Sequence, residues 1–90
     1  MWEVRNNYWV DLSDVKKNAN GYNWKESIGC LIKVKSDTEE RKFLISNYER
    51  KCKDKRSIYI TLMDYTGKQC EIHSRDILHG NLDSLFIQKD

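Results

Sequence analysis

Residues 58–73 read IYITLMDYTGKQCEIH, and their alternation decides the fold. Ile58, Ile60 and Leu62 alternate with Tyr59, Thr61 and Met63, a β-branched and aromatic run suited to a strand with one buried face. Cys70 and Ile72 alternate in the same way with Gln69, Glu71 and His73. Between the two runs, DYTGK places Gly67 where a short hairpin needs positive φ, so the two strands are expected to be antiparallel neighbours.

Working outward, Cys30, Ile32 and Val34 alternate with lysines, interrupted by Leu31, and Phe43 and Ile45 repeat the pattern. Near the N-terminus, YWVDLSD reads as a further short strand with Tyr8 and Val10 on one face and Trp9 on the other. The polar links Ser36 to Glu40 and Glu49 to Lys55 suit hairpin loops. In SRDILHGNLDSLF, Ser74 is placed to cap a helical turn and Gly80 to end it, leaving Ile77, Leu78, Leu82 and Leu85 as an apolar lid. The expectation is a mainly β fold: a small SH3-like antiparallel barrel of about five short strands with one or two single-turn helices. Curling is the simplest way for so short a sheet to avoid open edges.

The stretch NWKESIG, Asn23 to Gly29, fits this plan as a plug. Asn23 caps one helical turn over Trp24 to Ser27, Gly29 releases the chain from it, and Trp24 closes one end of the barrel. A rim position, with Trp24 as a binding aromatic, is the competing reading. Trp2 and Trp9 have polar neighbours on both sides, and the pattern does not decide between core and surface for either.

The chain has 90 residues, enough for a single domain spanning 1–90. A domain of this size buries roughly 60% of the surface its unfolded chain exposes. Large side chains must therefore supply its stability, and the 3 Trp, 5 Tyr and 2 Phe answer that need. Charged residues make up 33% of the chain but the formal net charge is only +2, so any electrostatic function is local. No apolar run is long enough to span a membrane, and MWEVRNNYWV lacks the charged-then-apolar order of a signal peptide. Cys30, Cys52 and Cys70 are odd in number and widely spaced, which fits a reduced setting better than a disulfide framework. A cytoplasmic location is expected.

Chemistry-bearing constellations are sparse. The Cys and His residues show no ligand spacing, and Cys70 and His73 fall on opposite faces of a strand, so no metal is expected. Cys30 and Cys70 read as core residues and Cys52 as a loop thiol. The glycines are isolated, which removes phosphate loops and dinucleotide fingerprints. No cofactor is implied. The acidic SDTEE, Ser36 to Glu40, reads as a solvated loop, and Asp11 and Asp14 read as turn or cap residues. Catalysis is not expected.

One functional feature stands out. In RKCKDKR, residues 50–56, five of seven residues are cationic: Arg50, Lys51, Lys53, Lys55 and Arg56. On the strand reading they cluster at a hairpin tip able to reach a phosphate backbone or an acidic surface. Tyr48 and Tyr59 flank the run and, with Trp9, are the candidate aromatic contacts. Lys33, Lys35, Arg41 and Lys42 extend the patch if the sheet brings their strands alongside. A loop that keeps the protein soluble through its charge is the alternative reading.

The stretches YWVDLSDVKKNANGYNWKESIGCLIKV, FLISNY, YITLMDY and HSRDILHGNLDSLF together resemble a small domain of Gram-positive phage and mobile-element proteins. That domain occurs alone or beside zinc-ribbon or HNH-type nuclease segments and carries a pattern like V-D-L-S-D-L-P-K…D-W-K-K-S-I-G. The resemblance runs from Tyr8 to Phe86, with Val10 to Asp14 and Trp24 to Gly29 as its most specific pieces. This chain departs from it at Val15 and Lys16, where the family tends to carry proline, and it has no nuclease segment. The resemblance implies a mobile-element origin and a binding role, with no catalytic residues to transfer.

Two functions follow as expectations. The first is a non-catalytic module that contacts DNA or RNA, or a protein–nucleic-acid complex, with Lys and Arg on phosphates and an exposed aromatic on a base. The second is a phage-encoded, anti-CRISPR-like inhibitor that docks on a host defence nuclease or ribonucleoprotein. A chain of net charge +2 cannot act there by wholesale mimicry of DNA.

Overall fold

The computed structural model describes residues 1–19, 21–51 and 57–86. In chain order the strands are β1 (Glu3–Arg5), β2 (Tyr8–Asp11), β3 (Lys17–Asn18), β4 (Gly21–Tyr22), β5 (Leu31–Lys35), β6 (Glu40–Arg50), β7 (Ile58–Met63) and β8 (Gln69–His73). A single-helix segment, α1 (Ser74–His79), follows β8, and short 3-10 turns cover Lys25–Ser27 and Asp83–Leu85.

The fold is mainly β, and its principal sheet is antiparallel with the order β1-β2-β5-β6-β7-β8. The opening run forms β7 and β8 as expected, with Leu62 opposite Cys70 and Ile60 opposite Ile72. Their hairpin turns at Gly67, φ 88°, while the Asp64 carboxylate accepts the Thr66 and Lys68 amides at 2.9 and 3.1 Å. About five strands were expected, and the sheet has six, with β3 and β4 forming a separate two-stranded ladder. The extra strands are short and mostly exposed, so they leave no alternation for a sequence reading to find.

Alternation sorts the main sheet into two faces. Tyr8, Val10, Ile32, Val34, Phe43 and Ile45 point inward and are buried. A β-bulge between Ile45 and Asn47 then shifts the phase of β6 by one residue. Beyond it Tyr48, opposite Ile60, lies on the inner face, and Glu49, opposite Tyr59, lies on the outer one. Cys30 and Cys70 are partly buried against the core. Cys52 lies outside the described residues.

The sheet has two ends, and among the described residues no ladder joins β1 to β8. The C-terminal segment bridges that gap. Ile77 and Leu82 are fully buried and Leu85 nearly so, while Leu78 is half-buried, so the expected lid covers the inner face. Each fully buried aliphatic side chain of this kind contributes about 1.5–3 kcal/mol. Arg5 Nη1 donates to the Leu78 carbonyl at 2.7 Å, and Tyr8 Oη donates to Asp83 Oδ1 at 2.5 Å. Phe86 stacks on Tyr8 with ring centroids 5.1 Å apart and receives the Arg41 guanidinium at 5.0 Å.

The cap of α1 differs from expectation. His73, in extended conformation, is the capping residue, and its Nδ1 accepts the Arg75 amide at 3.0 Å. Ser74 is already the first helical residue, so its hydroxyl sits one position too late to cap. Gly80 ends the helix at φ 77°. Among the described residues no helix is long and apolar enough to cross a membrane.

Candidate nucleic-acid interface

β6 and β7 pair as far as Arg50 opposite Ile58, and the Lys51 amide donates to the Ser57 carbonyl at 3.1 Å. The chain segment carrying RKCKDKR therefore connects two antiparallel strands. Lys53, Lys55 and Arg56 lie outside the described residues. Arg50 is exposed at the end of β6. Lys51 folds back over the outer face: its Nζ meets Glu71 Oε1 at 2.6 Å and stands 4.5 Å from the centre of the Tyr59 ring. The hydrogen bond that Lys51 donates to Glu71 raises its ammonium pKa above the ordinary value. Tyr59 in turn meets His73 edge-on at 5.0 Å.

The two tyrosines expected to flank the basic run do not share a surface. Tyr59 is half-buried on the outer face, whereas Tyr48 packs against the core on the inner one. The bulge before Tyr48 turns it to the inner face, where it is partly buried against the core. Arg41 is likewise not part of a basic patch. It lies opposite the core residue Val34, is held by Glu39 at 3.0 Å, and donates to the Leu85 carbonyl at 2.6 Å.

Trp9 lies on the outer face, but far from the basic run. Its row crosses the sheet as Val4, Trp9, Lys35 and Glu40, whereas the row of Tyr59 meets β6 at Glu49. The Lys35 ammonium sits 4.8 Å from the centre of the Trp2 ring and 5.6 Å from that of Trp9. The next row places Asp11, Lys33 and Lys42 side by side. Asp11 Oδ1 already accepts the Ser13 amide at 3.0 Å and the N-terminal amine at 3.2 Å, and these contacts, Ser13 first, hold its carboxyl down at about 2. The sheet thus gathers Trp2, Trp9, Lys33, Lys35 and Lys42 into a second outer cluster. The strict alternation of IKVK, with Ile32 and Val34 inward, was the signal that Lys33 and Lys35 share the opposite face.

The two motif pieces most specific to the family resemblance are architectural. Asp14 Oδ2 accepts the Leu31 amide at 2.7 Å, tying the end of VDLSD to the start of β5. Ser27 is fully buried; its hydroxyl donates to the Asn23 carbonyl at 2.6 Å and accepts the Lys16 amide at 3.0 Å. Asn23 Oδ1 accepts the Glu26 amide at 3.2 Å, so it caps the turn as expected. Trp24 is buried in the core and so does not stand on a rim as a binding aromatic. Both pieces brace one junction, where the chain enters the sheet at β5.

Among the described residues, no three His, Cys, Asp or Glu side chains come together in a way that could hold a metal ion. No family model, no curated protein and no solved structure matches this chain.

Proposed function

We propose that this chain is a non-catalytic binding module that contacts nucleic acid, alone or within a protein–nucleic-acid complex, through the basic β6–β7 connection and the outer sheet face beside it. One observation supports the reading: Arg50 pairs with Ile58, so the strands that bound the sequence RKCKDKR are antiparallel neighbours, and Lys51 stands over Tyr59 on the outer face. A run of cations suits phosphates, and a neighbouring aromatic offers a stacking surface. Architecture and origin belong to the same proposal. A sheet whose two ends are bridged by the C-terminal segment supports an SH3-like barrel. The VDLSD and WKESIG pieces support a phage or mobile-element protein acting in the host cytoplasm.

The test replaces Arg50, Lys53 and Arg56 together by Glu and follows binding of short fluorescent DNA and RNA by anisotropy at low and moderate salt. The parent is expected to bind with an affinity that falls as salt rises, and the variant to lose most of both affinity and salt slope with its Tm nearly unchanged. A parent that binds no nucleic acid at low salt overturns the proposal. The inhibitor of a host defence nuclease would then be the reading to pursue, through capture of a protein that survives nuclease treatment.

A further inference from the structure

We infer that the outer sheet face is a track for single-stranded nucleic acid, which stacks on Trp9 at one end and Tyr59 at the other, with a phosphate held between Lys33 and Lys42. This inference rests on the nucleic-acid reading above and names the kind of strand. Ladder partners share a face, and the register places Trp9, Lys35, Lys33, Lys42 and Tyr59 on the same side of the sheet once the bulge has re-phased β6. The row of Trp9 meets β6 at Glu40 and the row of Tyr59 meets it at Glu49. The bulge takes up one of the nine residues between them, so at about 3.3 Å per residue the two stacking points stand roughly 26 Å apart along the strand direction. That is a span suited to a short single strand, since small β modules take about 4–16 nucleotides.

The charge pattern favours a single strand over a duplex. On the described part of this face Lys33, Lys35, Lys42 and Lys51 stand among Asp11, Glu40, Glu49 and Glu71, so the face has no large excess of positive charge. Duplex binding draws its affinity from neutralising many phosphates, which a balanced face does not offer. Stacking on an aromatic needs an unpaired base and little net charge, and here the base takes the place of Lys51 over Tyr59 and of Lys35 over Trp9. Lys33 and Lys42 oppose each other directly, with Asp11 in register beyond Lys33 as a partial counter-charge, and like charges facing each other across a ladder repel. A bound phosphate between the two ammonium groups removes that repulsion.

The experiment titrates the full chain with a single-stranded oligothymidylate of about ten nucleotides and with a duplex of the same length, reading anisotropy and tryptophan fluorescence. The expected result is binding of the single strand about tenfold tighter than the duplex, with quenching of tryptophan emission. Trp9→Ala and Tyr59→Ala are each expected to weaken the single strand about tenfold. Lys42→Glu separates folding from binding, since it turns a like-charge pair into an opposite-charge pair: Tm should hold or rise while single-strand affinity falls about tenfold. Duplex binding equal to or tighter than single-strand binding, lost in the Arg50/Lys53/Arg56 variant, overturns this inference while leaving the proposed function standing. Unchanged single-strand affinity in Lys42→Glu and in whichever aromatic variants fold also overturns it. Absence of binding to both probes overturns the inference and the function together.

Discussion

Gly80 packs against the backbone carbonyl of Arg5 so closely that a Cβ at Gly80 would collide with it. The contact seats the end of α1 on the β1–β2 turn, where Asn6 adopts φ 57° and donates through Nδ2 to the Gly80 carbonyl at 3.4 Å. Two demands therefore meet at one residue: a left-handed φ of 77° and no side chain. Gly80→Ala is expected to cost more than about 2 kcal/mol, because it adds a backbone clash to the left-handed penalty of about 1–2 kcal/mol. Gly67→Ala is the control, since φ there is 88° but no atom lies within 4 Å of the added Cβ. It should show the conformational penalty alone. Equal losses in thermal melting would mean that the Arg5 contact carries no strain.

The hydrogen bond from Tyr8 to Asp83 ties the same seam to pH. With the Asp83 carboxylate accepting its proton and burial adding to the effect, the Tyr8 phenol is pushed up to about 12 from an ordinary 10.0. The folded state thus favours the neutral phenol. Its contribution to stability is fully present below pH 10 and is lost as the pH climbs from 10 towards 12. Urea denaturation on both sides of that window should show the parent losing its advantage over Tyr8→Phe. A gap between parent and variant that stays constant through the window would contradict the linkage.

In the segment that leads into β5, Ser27 is expected to matter more than its size implies. Ser27→Ala strands the Lys16 amide and the Asn23 carbonyl in a buried site, a loss of about 1–3 kcal/mol. Trp24→Ala, which empties a buried site in the core, should cost about 3–5 kcal/mol. Both are read by chemical denaturation, and a Ser27→Ala variant as stable as the parent would mean that water replaces both hydrogen bonds.

These residues also mark where a sequence reading stops. Trp24, the β7–β8 hairpin and the lid of Ile77, Leu82 and Leu85 were legible, because large apolar side chains at a regular period, with a glycine at the turn, report burial directly. Ser27 was not, since a serine in a short turn looks the same whether its hydroxyl faces water or two backbone groups. The candidate site was legible only at its charges. Which aromatics accompany them depends on strand register, and local alternation does not carry register across a bulge.

That bulge supplies the last prediction. Before it, the inward residues of β6 are Phe43 and Ile45; without an irregularity the period would bring Asn47 and Glu49 inward and turn Tyr48 outward. The extra residue at Ser46 reverses this, so Tyr48 joins the core and Tyr59 stays on the outer face. Tyr48→Ala is therefore expected to lose about 2 kcal/mol of stability through lost apolar burial. Tyr59→Ala should lose less than about 1 kcal/mol, its contacts being with Lys51 and His73 on the solvent side. Deleting Ser46 should cost less than Tyr48→Ala, because removing the extra residue restores regular alternation with Tyr48 still inward and Asn47 and Glu49 still outward. Parallel melts of the three variants decide the matter: if Tyr59→Ala proves the more damaging tyrosine change, the two residues have exchanged faces and the outer track loses one of its stacking points.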